Sequence, residues 1–61
     1  MTYKEAKQEV VKHFTRSYLT RALTDSKGNV SAAARNCGME RQALQRLMRR
    51  YRIKSHTFRS L

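Results

Sequence analysis

The 61-residue sequence carries fourteen Lys and Arg against four Asp and Glu, a formal net charge of +10. A chain this short buries only roughly 60% of its unfolded surface, its single cysteine excludes an internal disulfide, and Cys37, His13 and His56 lack metal-site spacing. Self-association is the remaining support for so small a core, and the charge points to a polyanionic partner; an enzyme is disfavoured because few groups are available to build a reactive pocket.

No apolar run approaches the roughly 18 to 20 residues of a membrane span, and no signal-peptide core follows Met1, so an intracellular protein is expected. No metal or other cofactor is implied. Proline is absent and the only glycines are Gly28 and Gly38, so the pattern reads as an all-α chain of three helices in one domain over residues 1–61.

The first helix is expected over about residues 3–26. Thr2 and Glu5 form a capping box at its start, and Gly28 supplies a left-handed stop after it. Tyr3, Ala6, Val10, Phe14 and Tyr18 recur at helical spacing, and Leu19 and Leu23 widen the apolar surface past half the circumference. A helix on one neighbour needs a stripe only somewhat over 100° wide. The side bearing Tyr3, Ala6, Val10 and Phe14 is therefore read as a homodimer interface. The competing reading is one wide core face in a monomer.

A helix-turn-helix is expected over residues 29–51. Asn29 caps the second helix, whose apolar side is Val30, Ala33, Ala34 and Cys37. Gly38 permits a turn with positive φ. The third helix runs from about Glu40 to Tyr51, burying Leu44, Leu47, Met48 and Tyr51. Small Ala34 lets the two helices touch, as in a unit whose second helix enters the DNA major groove. Residues 29–61 hold eight basic residues and one acid, net +7, against net +3 for residues 1–28. Residues 55–61 are expected to be a flexible tail.

Residues 28–53, GNVSAAARNCGMERQALQRLMRRYRI, resemble the C-terminal Fis-type DNA-binding domain of bacterial enhancer-binding activators of the NtrC type. The motif residues are Gly28, Asn29, Ser31, Ala33, Ala34, Arg35, Gly38, Arg41, Leu44 and Tyr51. The resemblance, extended by Tyr18, Leu19 and Leu23, covers residues 3–53. It implies a Fis-like homodimer in which the first helices pair and the two recognition helices enter successive major grooves of a palindromic upstream site. It also implies a cytoplasmic protein of the bacterial nucleoid. RNA polymerase with sigma-54 would be engaged only through an ATPase module, often preceded by a receiver, that is absent from this chain. The chain thus reads as an excised DNA-binding domain; the alternative is a stand-alone architectural protein of Fis type with low sequence preference. Glu40 and Gln45 depart from the family pattern. Arg52 replaces the usual terminating glycine, so the third helix is expected to run on towards Lys54.

Arg41 is the leading base reader, since its guanidinium fork matches guanine O6 and N7; a phosphate clamp is the alternative. Gln42 and Gln45 suit adenine, or are exposed filler. Arg46 contacts a base or a phosphate. Arg49 and Arg50 are assigned to the phosphate backbone. Asn29 and Ser31 open the second helix, whose free amides suit a phosphate, with plain capping as the alternative. Glu40 either favours the positive helix end or accepts from cytosine. Cys37 is read as a small buried apolar residue.

Overall fold

The computed structural model describes residues 1–59. It contains α1 (Tyr3–Asp25), α2 (Val30–Cys37), α3 (Arg41–Arg50) and α4 (His56–Arg59). No strand is present among the described residues.

The capping box at the start of α1 is formed. The Glu5 amide donates to Thr2 Oγ1 at 3.2 Å, and the Thr2 amide donates to Glu5 Oε1 at 3.2 Å. The Thr2 hydroxyl also donates to that oxygen at 2.8 Å. These bonds favour the charged carboxylate and hold the Glu5 pKa below its ordinary value.

At about 1.5 Å per residue, α1 is roughly 34 Å long. Only its last two turns are anchored, through Leu19 and Leu23, at 1% and 0% exposure. From Tyr3 to Tyr18 no residue of α1 is buried. Leu19 and Leu23 pack with Val30, Ala33 and Ala34 of α2, Leu44 and Met48 of α3, and Phe58 of α4. Met39, Leu47 and Ile53 border this cluster. The alanines of α2 bring its backbone close to its neighbours, as the sequence predicts. Arg16 lies over the Tyr51 ring, 5.9 Å from its centroid, and links α1 to the end of α3.

The first three helices stop by one device, a Schellman pair of backbone bonds around a left-handed residue. After α1 the amides of Gly28 and Lys27 donate to the carbonyls of Leu23 and Thr24. After α2 the amides of Met39 and Gly38 donate to Ala34 and Arg35, and after α3 those of Ile53 and Arg52 donate to Met48 and Arg49. The left-handed residues are Lys27 at φ 55°, Gly38 at φ 70° and Arg52 at φ 56°.

Three expectations are corrected here. Lys27 takes the left-handed stop of α1 ahead of Gly28, which also has positive φ, 82°. Helix α3 does not continue towards Lys54; Arg52 turns left-handed, and the Ile53 amide reaches the Met48 carbonyl at 2.8 Å. The tail expected over 55–61 contains α4, and Phe58 is 9% exposed in the core. Burial of that ring outweighs the weak helical preference of a four-residue segment. The rest of that expectation, positions 60–61, lies outside the described residues.

Candidate nucleic-acid interface

Gly38 and Met39 set α3 against α2. Leu44 and Met48 bury one side of α3, so its opposite side must face outward. That outward side presents Gln42, Arg46, Arg49 and Arg50, all exposed, while Arg41, also exposed, opens the helix on the side of Leu44 and Met48 and faces a recess shared with Val30. Gln45 is half-buried and lines recesses shared with Val30, so it sits at the α2–α3 seam. Glu40 is the N-cap residue of α3, and its side chain makes no capping hydrogen bond.

Asn29 caps α2: its Oδ1 accepts from the Ala32 amide at 3.1 Å. Capping therefore occupies that oxygen, while Ser31 is exposed beside it. The other amides that open α2 lack intrahelical partners, as at any helix start, and lie at the positive end of the helix.

Two basic recesses flank the outward side of α3. One is lined by Lys27, Asn29, Ser31, Arg41, Gln45 and Arg59, among others. The second runs between α1 and the end of α3 and carries Lys4, Lys7, Lys12, Arg16, Arg50 and Arg52. No carboxylate lines either one among the described residues. The spacing of Lys4, Lys7, Gln8 and Val11 puts them on one side of α1, a signal present in the sequence. Their juxtaposition with Arg50 and Arg52 depends on the angle between α1 and α3. Arg59 lay in the expected tail and had no such signal.

The four residues assigned to a dimer interface share one side of the free half of α1. At 100° per residue, Tyr3, Ala6, Val10 and Phe14 lie roughly opposite Leu19 and Leu23. Tyr3, Val10 and Phe14 are 80%, 68% and 64% exposed, and Ala6 is half-buried. Phe14 and Tyr18 stack with ring centroids 5.7 Å apart. Away from these surfaces, Cys37 is half-buried and unbridged, and His13 pairs with Glu9 on exposed α1. Among the described residues no helix is long and apolar enough to cross a membrane.

Two packed helices joined by a tight turn, the second with a basic outward side, define a helix-turn-helix module of the DNA-binding class. Residues 12–51 match the family described as bacterial regulatory protein, Fis family, and the chain belongs to that family. The match spans the anchored part of α1, all of α2 and all of α3. Neither the curated proteins nor the solved structures contain a significant match. Family and fold together point to double-stranded DNA as the partner.

Proposed function

We propose that the chain reads double-stranded DNA sequence-specifically, as the DNA-binding domain of a sigma-54-dependent transcriptional activator. The observation that supports this most is the two-sidedness of α3. Leu44 and Met48 lock it to the core while Gln42, Arg46 and Arg49 stay exposed on the opposite side, and Arg41 is exposed at the first turn. In this reading Arg41 and Gln42 approach base edges at the start of the helix, with Gln45 and Arg46 one turn on. Arg49, Arg50, Asn29 and Ser31 meet phosphates on either side. The activator context rests on the likeness of residues 28–53 to the terminal domain of NtrC-type activators.

The functional unit is a homodimer joined through Tyr3, Ala6, Val10 and Phe14. Support comes from the free half of α1, where large apolar side chains stay exposed although the domain's own core is complete without them. Two-fold pairing places two α3 helices for two half-sites. A cytoplasmic, nucleoid-bound location follows from this role.

Selection from a random duplex library tests the proposal. A two-fold symmetric consensus is expected. Equal enrichment of all sequences would replace it with the architectural reading, in which a Fis-type protein binds DNA with little preference.

A further inference from the structure

We infer that α4 completes a phosphate seat at the start of α2, in which Lys27 and Arg59 grip the DNA backbone beside Arg41 and the bases read by α3. This rests on the DNA-binding reading above.

The three cations come from three parts of the chain: the α1–α2 turn, the first residue of α3 and the last residue of α4. They line one recess of about 430 Å³. No carboxylate shares its lining among the described residues, and neither ion pair found there, His13–Glu9 or Arg21–Asp25, involves them. Like charges held together without a counter-charge repel one another, so such a cluster favours an anion.

The backbone that carries these side chains is fixed. Lys27 is locked by the Schellman bonds that end α1. Arg59 follows Phe58, whose ring is in the core. Gly28 is the close-approach point: a Cβ there would stand 2.6 Å from Arg59 Cγ and 2.6 Å from the Ser55 carbonyl oxygen. The missing side chain lets α4 lie against the α1–α2 turn. The anion is DNA backbone because Arg41 and Gln45 of the reading helix line the same recess. Arg59 lies beyond the residues that match the family, so the seat adds a contact to the helix-turn-helix from outside it.

The test is duplex affinity measured against salt concentration, on a duplex long enough for two half-sites. The proteins are the full chain and its Arg59→Gln, Lys27→Gln, Arg59→Lys and Arg21→Gln variants, each checked for an unchanged unfolding midpoint. Each phosphate contact contributes about 0.9 to the slope of log affinity on log salt. In a two-fold complex each substitution removes two contacts, so Arg59→Gln and Lys27→Gln should each lower that slope by about 1.8 and weaken binding about thirtyfold near physiological salt. Preference among duplexes should stay the same, and Arg59→Lys should keep the slope. Slopes for Arg59→Gln and Lys27→Gln equal to that of Arg21→Gln would overturn the seat alone. A full chain that binds no duplex would overturn the DNA-binding reading with it.

Discussion

Gly28 sits against the backbone of Ser55 so closely that a single added carbon would lie 2.6 Å from the Ser55 carbonyl oxygen. The contact joins the end of α1 to the start of α4, residues far apart in sequence. Backbone cannot yield as a flexible side chain does, and φ at Gly28 is 82°, where a Cβ is itself strained. Gly28→Ala should therefore destabilise the fold by about 2 kcal/mol or more. Urea unfolding followed by circular dichroism measures it, and an unchanged midpoint would show that α4 does not pack as described.

Arg52 holds a left-handed conformation that glycine adopts without steric penalty. Arg52→Gly should raise stability by up to about 1 kcal/mol, the relief of the left-handed strain less the extra freedom glycine has when unfolded. The readout is the thermal midpoint, and a fall would show that the Arg52 side chain makes a stabilising contact that outweighs its backbone strain.

Phe58 closes the core over α2 and α3. Phe58→Ala should cost about 3 kcal/mol, a large share of the stability of a domain this small. Amide exchange should quicken first around Gly28, which lies against α4, and Ile53, which borders the core. Uniform protection factors in the variant would place α4 outside the cooperative unit.

The exposed stripe on α1 bears on assembly. Val10→Glu or Phe14→Glu should convert a species of twice the chain mass into one of single mass in sedimentation. Neither residue touches the core, so helix content per chain should persist. A chain that sediments as a monomer at high concentration and still binds a palindromic duplex tightly would remove the dimer from the proposal.

Base reading and phosphate holding separate by substitution. Arg41→Ala should weaken the preferred site by about 1–3 kcal/mol per half-site and relax preference at one position in each. Arg49→Ala should weaken all duplexes alike and flatten the salt dependence. Competition binding against a panel of single-base variants distinguishes the two patterns.

Acid should loosen the start of α1. The Glu5 pKa is lowered in the folded chain by its hydrogen bonds to Thr2, so the capping box contributes stability above the unfolded glutamate pKa. That contribution is lost as pH falls through the lower folded value. Amide exchange in the first turn should rise over that window, and Glu5→Gln should abolish the pH dependence. An acid response that survived the substitution would assign it to another group.

The local pattern by itself determined much of this protein. Thr2 with Glu5 specifies a helix start because both bonds of the capping box lie within one turn. Asn29 and Gly38 specify the start and end of α2 for the same reason, since each acts on backbone within five residues, and Ala34 marks by its small size where α2 can be approached closely. The basic outward side of α3 follows from the positions of Leu44 and Met48 on the same short helix. Other features arise only from contacts between segments distant along the chain. Tertiary structure put Phe58 in the core, because a lone aromatic in a polar segment has no period to betray it. It stopped α3 at Arg52, where the bond from Ile53 to Met48 and the packing of Ile53 overcome the poor left-handed propensity of arginine. It also seated α4 against Gly28, and so brought Lys27, Arg41 and Arg59 to one recess. No spacing in the sequence encodes that meeting; it follows from a missing side chain at Gly28 and a buried one at Phe58.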